Sequence, residues 1–202
     1  MTLADTPGSW PVVDSTDLHR DDWVVALRRD RITTPSGDPD DPDQVFGRLV
    51  LEHPGAALVL AVDDEERVCL LRQYRHPGAG TFVELPAGLC DVEGEDPLET
   101  ARRELAEEAG LAAGEWRHLL TTYPSVGITA ERHHFYLARD LRPVERPDDF
   151  VAAHEEAHLE LVWAGFDDVL DAVLDGRAQE GPLAVAVLAY DAMRRRGLVS
   201  AE

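Results

Sequence analysis

The amino-acid sequence predicts an α+β fold: an α/β/α sandwich around a mixed sheet, preceded by a small N-terminal β region. Two observations predict it. Short β-branched and apolar runs recur from residue 23 to residue 163, while helical periodicity is confined to three places, 97–109, 167–175 and 182–196. With 202 residues, 44% of them apolar, the chain is long enough to bury a core and has the length of one domain. Layered packing of helices on a sheet follows from that mixture.

In chain order, residues 1–22 are acidic and weakly patterned and read as a tail. The run at 23–31 (WVVALRRDR) reads as a strand, and TPSGDPDDPD (34–43) as an exposed loop rich in turn formers. Residues 45–52 form a second strand candidate, so 23–55 is the N-terminal β region and 56–202 the main domain. Residues 56–62 and 68–74, separated by the charged turn 63–67, carry a hairpin signal. Further strands fit 81–85, 117–123, 132–138 and 159–163. The helix at 167–175 stops at Gly176, and the last helix has Pro182 in its first turn and Gly197 beyond its end.

Forty acidic residues against nineteen basic ones give a net charge of −21. Binding to nucleic acid or to an anionic membrane needs a positive field, so neither is expected. All nineteen basic residues are arginine, which removes Schiff-base chemistry and the lysine of a phosphate loop. No run of apolar residues is long enough to span a bilayer, and Met1–Trp10 has neither a basic region nor an apolar core. Two cysteines, Cys69 and Cys90, are too few for a disulfide framework, and the expected setting is the cytoplasm.

The helix at 97–109 carries the chemistry. Asp96 suits its N-cap, Pro97 its first position and Gly110 its C-terminal cap. Leu98, Ala101 and Leu105 make an apolar stripe. Glu104, Glu107 and Glu108, at i, i+3 and i+4, share a neighbouring arc. Like charges so spaced repel by a few tenths of a kcal/mol, roughly, per pair. A hard divalent cation such as Mg²⁺, which takes carboxylate oxygens together with substrate phosphates, gives that arc a purpose.

The stretch from Gly88 to Leu111 resembles the Nudix hydrolase signature, G-x5-E-x7-R-E-U-x-E-E-x-G-U, where U is aliphatic. Every fixed residue type is present, with one departure: Gly88 and Glu95 are separated by six residues, the extra one lying in the loop before the helix. The resemblance implies a Nudix-type sandwich in which Glu104, Glu107, Glu108 and the Ala87 carbonyl hold Mg²⁺ or Mn²⁺, and Glu95 pairs with Arg103. It also implies attack of water on a diphosphate phosphorus, with Glu108 among the catalytic groups.

LRQYRHP (71–77), ELPAG (84–88) and YPSVG (123–127) resemble the branch that cleaves ADP-ribose to AMP and ribose 5-phosphate. The likeness spans roughly residues 45–190. By that resemblance Arg75, Arg72, Glu84 and Trp23 are substrate-binding candidates. At i and i+3 of one strand the two arginines point to opposite faces, which favours Arg75, nearer the loop. Trp23 is either a ring for adenine or a core residue, and Glu84 either a polar group at the site or a strand residue facing water. Relatives of this kind are homodimers that exchange N-terminal strands, so a homodimer acting on a small nucleoside diphosphate is expected.

Residues 154–158 read HEEAH, the H-E-x-x-H pattern in which His154 and His158 on one helix face would chelate zinc with Glu155 as base. The segment runs into a strand-like stretch and no later histidine supplies a third imidazole. The resemblance instead places a general base on this loop, with Glu156 the first candidate and Glu155 the second. A Nudix-fold sensor of ADP-ribose without catalysis is the remaining alternative; it would show a broken metal face, and this face is intact.

Overall fold

The computed structural model describes residues 3–146 and 158–199. It divides into two compact units: residues up to Pro54 together with Ser125–Glu131, and Gly55–Pro124 together with the chain from Arg132 onward.

The first unit is an antiparallel sheet of β1 (Val12–His19), β2 (Ala26–Ile32) and β3 (Phe46–Glu52), in that order. The segment 1–22, read as a tail, therefore contains a strand. Its alternation is hidden because all eight residues of β1 are exposed, so no apolar face was selected. Polar side chains supplement the antiparallel ladder instead: Arg31 Nη1 donates to Asp14 Oδ2 at 2.7 Å, and Ser15 Oγ donates to Asp30 Oδ1 at 2.7 Å. Residues 125–131 join this unit because Leu51 N–H donates to the Ile128 carbonyl at 2.7 Å and Thr129 Oγ1 donates to the Leu51 carbonyl at 3.0 Å.

The second unit contains two sheets. One orders β7 (Ala87–Leu89), β4 (Ala56–Ala61), β9 (His133–Pro143) and β8 (Leu111–Thr122); the other orders β10 (Glu160–Gly165), β5 (Arg67–Arg75) and β6 (Gly80–Glu84). β4 and β9 run parallel and the remaining pairs antiparallel, so the main sheet is mixed. The expected hairpin 56–74 is not one: β4 and β5 enter different sheets and share only the isolated bridge Val62↔Val68. β4 is buried on both faces, so its run of apolar residues carries no sign of which sheet it joins.

Period-2 alternation along β4 divides the core. Ala57, Val59 and Ala61 pack with Ala101 and Leu105 of α1 (Pro97–Ala109). Leu58 and Leu60 face the other way and pack with Phe135, Leu137, Phe166, Val187 and Tyr190, beneath α2 (Phe166–Leu174) and α3 (Gly181–Arg195). Helix–sheet–helix layering follows directly.

Candidate active site

α1 is fixed at both ends as its sequence requires. Asp96 Oδ1 accepts from Leu98 N–H at 2.9 Å, and Gly110, at φ 64°, donates to the Ala106 carbonyl at 3.0 Å. With Leu105 turned fully into the core, Glu104 and Glu108 are drawn below the surface, 9% and 8% exposed. Buried carboxylates require partners. Arg103 Nη1 donates to Glu104 Oε1 at 2.6 Å and to Glu107 Oε2 at 3.5 Å, and Ala87 N–H donates to Glu108 Oε2 at 2.8 Å. That last bond ties the short strand β7 to the acidic face of α1.

Glu95 sits 3.6 Å from Arg103 Nη2 and also accepts from Thr100 Oγ1 at 2.7 Å. The loop with the extra residue therefore returns to the helix at the pair Glu95 and Arg103. Gly88 has a steric role: a Cβ built there would overlap the Glu104 carboxylate. Gly88→Ala is expected to lower kcat/KM about 10²-fold by displacing that carboxylate, while thermal melting stays near wild type because only the end of a flexible side chain must move. A melting temperature that falls along with activity would assign Gly88 to folding instead.

Beside this face stands a second cluster. Arg75, at the end of β5, donates from Nε to Glu84 Oε1 at 3.0 Å and from Nη2 to Glu84 Oε2 at 2.6 Å. Glu84 is 8% exposed and does not face water. The hydrogen bond from Arg75 to Glu84, followed by the fields of Glu84, Glu108 and Glu180, pushes the arginine above its ordinary value against the cost of burial. Arg72 does not join the cluster: it lies on the other side of the strand, 3.5 Å from Glu160.

Trp23 is 65% exposed, between β1 and β2, with its backbone N–H donating to Asp21 Oδ1 at 2.9 Å; it is not a core residue. His158 is exposed, whereas His154, Glu155 and Glu156 lie outside the described residues. Among the described residues no three His, Cys, Asp or Glu side chains converge closely enough to hold a metal ion by themselves. The donors that the acidic face offers are all oxygens, the chemistry that suits a hard cation retaining waters and phosphate ligands.

Sequence reasoning missed Glu180. It caps α3, its Oε2 accepting from Leu183 N–H at 2.6 Å, and acts electrostatically on Glu84 and Arg75. A glutamate directly before Gly181-Pro182 was the available signal, but the usual capping residues are shorter.

Residues 52–184 match the family described as NUDIX domain. The chain is 38% identical over 181 residues to an ADP-ribose pyrophosphatase of Mycobacterium tuberculosis (strain ATCC 25618 / H37Rv), covering 90% of this chain and 83% of that one. It is 34% identical over 164 residues to an ADP-ribose pyrophosphatase of Bacillus subtilis (strain 168), covering 81% and 83%. A crystal structure of an ADP compounds hydrolase superposes with a TM-score of 0.73 at 18% identity, covering 97% of this chain and all of the other; that likeness is one of fold.

Proposed function

The chain belongs to the NUDIX domain family, and on that premise we propose that it hydrolyses the diphosphate of ADP-ribose to AMP and ribose 5-phosphate. The observation that carries this reading is the placement of Arg75, bonded to Glu84 and within the field of Glu108, beside the acidic face of α1. An anionic substrate approaching a protein of net charge −21 needs local positive charge. Arg75 supplies one source, and a divalent cation the other.

Glu104, Glu107, Glu108 and the Ala87 carbonyl are the residues that would hold Mg²⁺ or Mn²⁺, which supplies Lewis acidity and a more acidic water when bound. Arg75 binds a diphosphate oxygen and Glu84 fixes the direction of its guanidinium. Arg72 is the weaker candidate, since Glu160 already occupies it. Arg103 and Glu95 keep the loop against α1. Glu156, or else Glu155, takes the proton of the attacking water. Trp23 offers an exposed ring for adenine stacking.

We further read the protein as a cytoplasmic homodimer. The exposed β1, with Val12, Val13 and Leu18 all presented, supports the dimer, and two unpaired cysteines are compatible with the compartment. Among the described residues no helix is long and apolar enough to cross a membrane.

The test is a product assay with Mg²⁺ on ADP-ribose, NADH, GDP-mannose and diadenosine polyphosphate. AMP is expected to appear fastest from ADP-ribose. Faster cleavage of another compound would overturn the substrate, and binding of ADP-ribose without cleavage under Mg²⁺ or Mn²⁺ would make the protein a sensor.

A further inference from the structure

One guanidinium in this protein is bonded to one carboxylate and lies in the field of two more, the three carried on three different elements. Arg75 of β5 lies in the fields of Glu84 from β6, Glu108 from α1 and Glu180 from the start of α3. The first two belong to the site already described. Glu180 comes from a third element that no part of the sequence motif includes, and its position follows from packing. α3 lies on β6, with Leu183 and Val83 in the same apolar cluster, so its N-terminus comes down beside Glu84. The backbone of Glu180 is extended (φ −68°, ψ 124°), Pro182 stiffens the first turn, and the carboxylate accepts from Leu183 N–H. The side chain is thereby held at the helix N-terminus, within the electrostatic reach of Arg75 and Glu84.

We propose that Glu180 is a positioning residue that sets the affinity of the anion site through its own charge. Ionised, it adds to the negative field around Arg75 and repels an incoming diphosphate; neutral, it leaves Glu84 as the carboxylate bonded to Arg75 and lowers that repulsion. The inference rests on the reading of Arg75 as the diphosphate anchor. Its chemistry suits a switch near neutrality. Burial, the foremost cause, pushes Glu180 up to about 7; the Leu183 N–H opposes that rise, Glu84 adds to it, and Arg75 opposes it. Glu84 and Arg75 are the charged groups that act on it; among the described residues α2, β4 and β8, which also pack on α3, supply none.

The sign for stability follows from linkage. Glu180 holds its proton more tightly in the folded chain than in the unfolded one. Stability is therefore lost as pH rises from the ordinary carboxylate range to about 7. Glu180→Gln, which keeps a capping oxygen and carries no charge, is expected to melt above wild type at about pH 8 and level with it near pH 4.

For the kinetics, ADP-ribose hydrolysis with saturating Mg²⁺ is followed for wild type and Glu180→Gln from about pH 6 to about pH 8.5. Wild-type KM is expected to rise about fivefold across that interval, and the variant to keep the low KM throughout. Glu180→Ser, a good cap without charge, should give the same flat KM and serves if the glutamine variant folds poorly. Carbon-13 titration of the wild-type Glu180 carboxylate supplies a readout independent of substrate. Variants that retain the wild-type rise in KM, or a carboxylate that titrates in the ordinary range, would overturn the inference while leaving the hydrolase reading intact. A wild type that does not cleave ADP-ribose would overturn both.

Discussion

Replacing Glu104 by glutamine is expected to lower kcat for diphosphate cleavage about 10³-fold while leaving the protein folded. The substitution is nearly isosteric and removes one of three like charges at i, i+3 and i+4. The relief of repulsion offsets part of the lost contact with Arg103, which is 2.6 Å away. Melting temperature should therefore change little. Glu99→Gln is the control on the same helix: Glu99 is an exposed partner of Arg102 at 2.6 Å, and its loss should leave kcat where it was. The experiment also decides the meaning of the 154–158 motif. A zinc peptidase built on His154, Glu155 and His158 would be indifferent to Glu104, whereas a diphosphatase would not. Chelation cannot make that distinction, because it silences both.

The second large effect lies one residue away, about 100° round the helix. Leu105 is fully buried between Ala57, Val59 and Ala61 of β4 and the rest of the α1 core. Leu105→Ala is expected to cost about 3 kcal/mol, the lost transfer energy plus an incompletely collapsed cavity. For a protein of this size that lowers the melting temperature by roughly 6–12 °C. Below the transition, kcat should remain near wild type, since the acidic face is still held by Arg103 and by the Ala87 N–H. A melting shift below about 1 kcal/mol would mean that α1 repacks freely on the sheet. The contrast between neighbours 104 and 105, one affecting rate and the other stability, is the sharpest test of how α1 divides its faces.

The main layers were legible in the sequence because their signals are local. α1 could be bounded to the residue from Asp96, Pro97 and Gly110, and its acidic arc from spacing alone. α2, α3 and most strands were recoverable from apolar runs. What could not be read was partnership. Nothing in residues 56–62 says that β4 pairs with β9 rather than β5, because a strand buried on both faces is uniformly apolar. β1 was missed for the opposite reason, having no buried face at all. The three-residue β7 is too short for periodicity; it exists through its antiparallel pairing with β4, and the bond from Ala87 N–H to Glu108 ties it to α1. At the site, the separation of Arg75 from Arg72 followed from strand alternation. The company Arg75 keeps, Glu84 nine residues on and Glu180 more than a hundred away, is a product of tertiary packing.

The parallel pairing of β4 with β9 also has a consequence for the birth of the protein. Ala56 is registered against His133, 133 − 56 = 77 residues later. At about 5–20 residues per second, a ribosome needs roughly 4–15 s to deliver that partner. During that interval an apolar, β-prone AALVLA segment has left the tunnel with its central sheet neighbour not yet made. Arrival of β9 supplies β4's parallel neighbour and lets the face toward α1 close, whereas the face that carries Leu58 and Leu60 waits for α2 and α3, so the two halves of the core are completed at different stages of synthesis.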